Sequence, residues 1–295
     1  MCGIVGLFAK DAGIEAELGA HVATMLAAMA DRGPDSAGFA VYAPGEPGAV
    51  KFTLRPAAES DPERLLARLG IPASRIAVRG THAVLTVPQA AEPAARAALA
   101  EAPDVAVVGT GARMELYKEV GAPAEVAARF GLAGMRGTHA IGHTRMATES
   151  AVTTAGAHPF STGADQCLVH NGSLSNHNAL RRTLRRRGFA FATENDTEVA
   201  AAWLTARMQD GLPLDEALRG AMRELDGFYT FVVGTADGFA VLRDPIACKP
   251  AVMAETGRYV AFGTEYRALA DLPGIAAARV WEPEPARVYA WRIAR

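Results

Sequence analysis

The sequence is poor in cysteine, since its 295 residues include only Cys2, Cys167 and Cys248. Three scattered cysteines cannot form a disulfide framework, and their spacing does not match a zinc knuckle. Small secreted domains held by disulfides are therefore excluded as a class, and no resident metal is expected. An odd number of cysteines suits a reducing compartment, so we expect a cytoplasmic protein.

The chain also lacks an excess of charge and a long apolar run. Its formal net charge at pH 7 is −2, so no overall positive field attracts nucleic acid or an anionic membrane. No apolar run approaches the roughly 18 residues of a membrane helix. The basic stretch RRTLRRR (181–187) is interpreted as the solvated face of a helix. The alternative is a patch that binds an anion or a partner, and nucleic-acid binding is disfavoured because no aromatic residues are interleaved. We expect neither a membrane nor a nucleic-acid partner.

The apolar residues that are present, 50% of the chain, suffice for a large core. Their pattern predicts a buried strand over 4–9, a helix over 14–30 and a strand over 38–42. The pattern of residues then changes, and the segment of about 50–133 is interpreted as an inserted small α/β module. Within the module, RIAVRGTHAVLTV is typical of a hairpin, and EPAARAALAEAPDVAVVG of a helix followed by a strand.

After the module, strands come in runs. One strand ends in GHTRMAT, a second is QCLVH, and three more are FYTFVVGT, GFAVLRD and RYVAFGTE. Helices are predicted over 176–187 and 197–210, with a short one over 265–269. Because strands do not alternate strictly with helices, the sequence predicts an α+β protein with mainly antiparallel sheets covered by helices.

Cys2 has unusual chemistry if Met1 is removed. The exposed α-amine would then have a pKa of about 8 beside a thiol of pKa about 8.5. One residue could supply both a nucleophile and its base. The alternative is a small apolar residue near a chain end, and Cys2 alone does not decide between the two.

Four further stretches accompany MCGIVG: RGPDSAG (32–38), GHTRMAT (142–148), HNGSLSN (170–176) and NDTE (195–198). In this order they resemble the motifs of the class II glutamine amidotransferases, N-terminal nucleophile hydrolases that take ammonia from glutamine. The resemblance covers 1–45 and 135 to about 270. It implies a four-layer αββα sandwich of two mainly antiparallel sheets, interrupted by the inserted module.

The resemblance also implies a role for each matching residue. The catalytic residues would be Cys2 as nucleophile, with its free amine as base, and Asn171 and Gly172 as the oxyanion hole. The glutamine-binding residues would be Arg145, Thr148 and Asp196, and Arg32 and Gly33 would support the loop of the nucleophile. The implied reaction is thiolate attack on the glutamine amide, loss of ammonia and hydrolysis of a glutamyl thioester.

These residue types suit glutamine chemically. Arg145 can form two charge-assisted hydrogen bonds to the α-carboxylate, aided by the Thr148 hydroxyl, and Asp196 can pair with the α-ammonium. Asn171 and Gly172 can direct an amide and a backbone N–H at an oxyanion. A structural interpretation is also possible: Arg145 as a surface arginine at a strand end, Asp196 as a helix N-cap, and Asn171 with Gly172 as an ordinary turn.

Two positions depart from the family pattern. Met146 and Glu149 stand where the family often has an aromatic residue and a histidine. The first would loosen one wall of the pocket. The second would put an anion near the substrate carboxylate.

The motifs are most similar to stand-alone glutamate-synthase-like amidotransferase subunits, including the small subunit of N-methylglutamate synthase. We expect no acceptor domain, and we therefore expect glutamate-synthase-like partner subunits that would carry any FMN and iron–sulfur centres. No cofactor is expected in this chain. The alternative is a non-catalytic structural subunit, or one that senses glutamine or glutamate, which Met146 and Glu149 favour.

Overall fold

The computed structural model describes residues 2–57, 62–72, 75–147 and 151–293. The helices in these ranges are α1 Ala12–Ala28, α2 Pro62–Leu69, α3 Glu92–Ala100, α4 Pro123–Arg129, α5 His177–Arg186, α6 Asp196–Gln209 and α7 Leu214–Glu224. The strands are β1 Gly3–Ala9, β2 Ser36–Tyr42, β3 Ala49–Pro56, β4 Arg75–Arg79, β5 His82–Pro88, β6 Val105–Gly111, β7 Met114–Val120, β8 His139–Arg145, β9 Phe160–Gly163, β10 Gln166–Leu174, β11 Gly227–Thr235, β12 Gly238–Arg243, β13 Val252–Glu255, β14 Tyr259–Gly263, β15 Arg279–Trp281 and β16 Arg287–Arg292.

Two large sheets form the centre of the protein. One has seven strands in the order β15-β13-β14-β1-β8-β2-β7, and the other has five in the order β16-β12-β11-β10-β9. All neighbouring strands in both sheets are antiparallel. The sheets face each other across a core that includes Ile4, Tyr42, Val169 and Phe239.

Helices cover the outer face of each sheet. On the seven-stranded sheet, α1 buries Ile14, Leu18 and Val22 at helical spacing, and α4 packs beside it. On the five-stranded sheet, α5, α6 and α7 enclose a second core around Trp203 and Leu218. The order of layers is thus helix, sheet, sheet, helix, and the expected αββα sandwich is confirmed.

A separate four-stranded sheet with the order β4-β5-β3-β6 lies within the predicted module. Its chain order β3-α2-β4-β5-α3-β6 and its antiparallel pairing give a split βαβ arrangement of the ferredoxin-like type. A compact core around Phe52, Leu54 and Leu99 fills this unit. By contrast, β7 and α4, which also fall within about 50–133, belong to the main sandwich.

The predicted helices near α5 and α6 are present, whereas α7 was not predicted. Its buried Ala217, Leu218 and Ala221 follow a helical spacing that would have revealed it. The prediction of a fully solvated basic face over 181–187 is wrong for Arg181. This side chain is buried, and it pairs with Glu194 at 2.5 Å because α5 turns that position toward the loop before α6.

Candidate active site

A cleft of about 630 Å³ opens where three elements of the sandwich converge. Gly3 pairs with Thr144 in the antiparallel β1–β8 ladder, so the start of β1 lies beside the end of β8. The facing sheet contributes β10, and the start of α6 closes one side. Strand pairing therefore brings Cys2 and Arg145 together although they are far apart in sequence.

Cys2 is held through its backbone at one end of this cleft. Its carbonyl oxygen accepts a hydrogen bond from Nε of Arg32 at 3.0 Å and one from Nδ2 of Asn171 at 3.2 Å. The Arg32 guanidinium also forms an ion pair with Glu265. Sγ of Cys2 lies 3.9 Å from the carbonyl oxygen of Met146. The Asn171 amide has two N–H donors, so its bond to Cys2 leaves one available to the cleft.

Two glycines permit the close approaches at this site. A Cβ on Gly33 would lie 2.3 Å from the backbone carbon of Thr144, so only glycine lets the loop of Arg32 lie against the end of β8. Gly172 has φ +154°, and a Cβ there would lie 2.0 Å from the carbonyl oxygen of Phe228. Both positions require glycine on steric grounds.

Arg145 is the last residue of β8, and its side chain lines the cleft although it is buried. Nη1 lies 3.5 Å from the carbonyl oxygen of Ala151. A buried guanidinium beside an open cavity can bind a carboxylate with two parallel hydrogen bonds.

Asp196 opens α6 on the opposite wall, and its side chain is 21% exposed. Its Oδ2 accepts a hydrogen bond from the backbone N–H of Leu174 at 2.9 Å, and Oδ1 lies 3.7 Å from Nδ1 of His170. Burial raises the pKa of this carboxyl, but the interactions with His170 and Leu174 outweigh burial and lower the pKa to about 2. Asp196 is therefore an anion at neutral pH.

Buried histidines back this wall of the cleft. Nδ1 of His170 and Nε2 of His158 both contact the Thr197 hydroxyl, at 3.0 and 2.8 Å. His158 stacks on His143 with ring centroids 4.0 Å apart. Burial lowers the pKa of His143 to about 3 and lowers that of His158. Both rings are therefore neutral at physiological pH.

The structure brings five of the sequence-predicted residues to one cleft: Cys2, Arg145, Asn171, Gly172 and Asp196. Arg32 and Gly33 lie behind Cys2, as described above. Thr148 and Glu149 lie outside the described residues.

Sequence reasoning missed several residues that also line the cleft, among them His177, Thr197 and Lys249. Thr197 directly follows Asp196, and Lys249 lies in the stretch RDPIACKP. Among the described residues, no group of three or more His, Cys, Asp or Glu side chains could hold a metal ion. No helix in the described ranges is long and apolar enough to cross a membrane.

Comparison with known proteins identifies the family of the chain. Residues 143–271 match the family described as "Glutamine amidotransferase domain". The chain is 62% identical, over 99% of its own length and 98% of the relative, to "Glutamine amidotransferase-like protein GlxB" of Rhizobium meliloti strain 1021. It is 32% identical, over 98% and 99% of the two lengths, to a "Putative glutamine amidotransferase" of Methanothermobacter thermautotrophicus strain Delta H.

The fold is also found in a solved structure, the glutamine phosphoribosylpyrophosphate amidotransferase from B. subtilis complexed with ADP and GMP. The TM-score is 0.63 at 19% identity, and the match covers 99% of this chain and 49% of that one. Fold, ordered motifs and full-length relatives agree. The chain therefore belongs to the class II glutamine amidotransferase family.

Proposed function

We propose that this chain hydrolyses glutamine at Cys2 and supplies the released ammonia to partner subunits. The observation that carries the proposal is the convergence of a thiol, a buried arginine, an ionised aspartate and an amide donor on one cleft. Free glutamine presents a carboxylate, an ammonium and a neutral amide. The cleft offers Arg145, Asp196 and the Cys2–Asn171 pair as complements to these three groups.

The proposed reaction has two halves. The Cys2 thiolate attacks the side-chain amide carbon of glutamine, and the developing oxyanion accepts hydrogen bonds from the Asn171 amide and the Gly172 backbone. The C–N bond then breaks, ammonia leaves with the proton taken from the thiol, and a glutamyl thioester remains on Cys2. Water attacks the thioester, and glutamate leaves as the thiol is regenerated.

The base in this proposal is the α-amine of Cys2, which exists only after Met1 is removed. With Met1 attached, the same nitrogen is part of a peptide bond and has no useful basicity. The hydrogen bonds from Arg32 and Asn171 to the Cys2 carbonyl would hold the nucleophile and its amine in place. Removal of Met1 is therefore a condition of activity.

The proposed partners are glutamate-synthase-like subunits of a cytoplasmic complex. The motif resemblance supports this, and N-methylglutamate synthase, which acts on methylamine and glutamate, is the specific candidate. Any FMN and iron–sulfur centres would belong to those partners. Ammonia released to solvent is protonated and loses its nucleophilicity, so the acceptor site must lie close by or be reached through a protected path.

The test is the intact mass of the purified chain before and after treatment with a glutamine-mimicking diazoketone that alkylates the catalytic thiol. We expect a starting mass without methionine and a gain of one adduct. The adduct should disappear in Cys2→Ala and persist in Cys248→Ala, because Cys248 is exposed and is the obvious alternative target. A processed chain that takes no adduct, alone or with its partners, contradicts the proposal.

The second candidate is a non-catalytic subunit that binds glutamine or glutamate. Met146 favours it, because this side chain lines the cleft and is 36% exposed where the family often has an aromatic wall. This candidate predicts glutamine binding by calorimetry without alkylation and without glutaminase activity.

A further inference from the structure

One wall of the cleft is a stretch without regular secondary structure, residues 151–157, called here the cleft segment. Its Ala151, Thr153 and Gly156 line the cavity. The carbonyl oxygen of Ala151 lies 3.5 Å from Nη1 of Arg145. The position of the cleft segment therefore influences the guanidinium proposed to bind the substrate carboxylate.

Buried charges on β7 hold the cleft segment. Nζ of Lys118 donates hydrogen bonds to the carbonyl oxygens of Ala155 and Ala157 at 3.0 and 2.9 Å. The Thr154 hydroxyl donates to Oε1 of Glu119. Lys118 and Glu119 are each only 5% exposed, so these polar groups depend on protein partners rather than on water.

Glu119 also contacts the inserted ferredoxin-like unit. Its second oxygen, Oε2, accepts a hydrogen bond from the Thr81 hydroxyl at 2.8 Å and lies 3.6 Å from Nε of Arg55. Thr81 lies in the turn between β4 and β5, and Arg55 belongs to β3. Burial raises the pKa of Glu119, but the hydrogen bonds from Thr154 and Thr81 outweigh burial, so the pKa is lowered. One carboxylate thus joins the inserted unit to the cleft segment.

We propose that Glu119 is a positioning residue for glutamine binding, through which the inserted unit fixes the cleft segment and, with it, Arg145. The inference rests on the proposed function and assigns the insertion a part in it. Glu119 does not line the cleft. It acts on substrate affinity through Thr154 and has no part in the bond-breaking steps.

The substitution Glu119→Gln keeps the size of the side chain and removes its charge. Hydrogen bonds to a charged group are about twice as strong as neutral ones, so the hold on Thr154 and Thr81 weakens. The expected result is a rise of about five- to tenfold in the concentration of diazoketone that gives half-maximal alkylation. The maximal alkylation rate at saturating reagent should stay within about twofold, because the reacting groups are untouched.

Glu115 provides the matched control. It lies on the same strand and also faces the inserted unit, where Oε1 bonds Nζ of Lys51 at 2.8 Å. No described contact joins it to the cleft segment. Glu115→Gln should therefore leave the half-maximal concentration unchanged, even if it lowers the melting temperature.

Two further variants test the two contacts of Glu119, one with the cleft segment and one with the inserted unit. Thr154→Val removes the donor on the cleft segment and should act like Glu119→Gln, with the double variant no worse than either single one. Thr81→Val removes the donor on the inserted unit and should raise the half-maximal concentration in the same direction. If Glu119→Gln does not fold, the two threonine variants decide the question.

The result for the wild-type chain distinguishes failure of the role proposed for Glu119 from failure of the proposed function. Alkylation of the wild type with equal half-maximal concentrations in all variants, or an equal rise in Glu115→Gln, overturns the role of Glu119 and leaves the proposed function intact. A wild type that is neither alkylated nor binds glutamine by calorimetry overturns the proposed function and this inference with it.

Discussion

Acid should destabilise this protein steeply, because it buries several neutral histidines. His82, His139, His143 and His158 are each at most 5% exposed. Burial lowers the pKa of His82 to about 4 and those of His139 and His143 to about 3, and it lowers that of His158 as well. In the unfolded chain each ring has a pKa near 6.5.

The direction of the effect follows from proton binding. Between pH 6.5 and the lowered values, the unfolded chain takes up a proton at each ring while the folded chain does not. Stability is therefore full above pH 6.5 and falls as the pH falls. His82, His139 and His143 each remove about 2 kcal/mol between pH 7 and pH 5, and the three together about 6 kcal/mol, while His158 adds to the loss in the same direction. A typical domain has a total of only about 5–15 kcal/mol, so this loss is a large share of the stability.

The assay is urea unfolding at several pH values and constant ionic strength, followed by circular dichroism. His82→Phe removes one titrating ring at a site where the ring meets Phe130 edge-on at 4.8 Å. Nε2 of His82 has no hydrogen-bond partner among the described residues. The substitution by phenylalanine therefore removes one hydrogen bond, that between Nδ1 and the Thr81 hydroxyl. The variant should lose about 2 kcal/mol less than the wild type between pH 7 and pH 5.

Thr81→Val is the control, because it removes the same hydrogen bond and keeps the ring. Between pH 7 and pH 5 its pH dependence should match that of the wild type. An unchanged pH slope in His82→Phe, or a wild-type loss below about 2 kcal/mol over this pH range, would refute the reasoning.

Three substitutions in the cleft give further predictions. Arg145→Lys keeps the charge but loses the two parallel hydrogen bonds, so the KM for glutamine in a glutaminase assay should rise about tenfold or more, with a smaller change in kcat. Asp196→Asn can keep the hydrogen bond from Leu174 but loses the negative charge, and the same assay should show a KM raised about 30-fold, equivalent to about 2 kcal/mol. Gly172→Ala would place a methyl group 2.0 Å from the Phe228 carbonyl oxygen; thermal unfolding should show a loss of 2 kcal/mol or more, in rough terms, together with loss of alkylation.

Local pattern was enough to predict much of the fold. The helix predicted over 197–210 matches α6, because Asn195 is an N-cap whose side chain accepts from the Thr197 N–H at 2.8 Å. The apolar alternation and turn residues likewise predicted the β4–β5 hairpin. In both cases the determining interactions lie within a few residues along the chain.

Long-range contacts could not be predicted in this way. No local pattern shows that Gly3 pairs with Thr144, so the meeting of Cys2 and Arg145 was inferred from the ordered motifs and not from periodicity. Strand β7 is a second case, since MELYKEV is typical of a strand with one solvated face. Its Lys118 and Glu119 are buried because the inserted unit and the cleft segment cover them.

The position of the inserted unit has a consequence for how the chain can vary. Strands β2 and β7 are the two arms of one hairpin in the seven-stranded sheet, with Tyr42 opposite Met114. The ferredoxin-like unit lies entirely in the connection between these arms, residues 43–113. It can be lengthened, exchanged or replaced by a tight turn without shifting the register of any sandwich strand. Such a shortened chain should keep its catalytic cleft in outline but lose the control over it that Thr81 and Arg55 exert through Glu119.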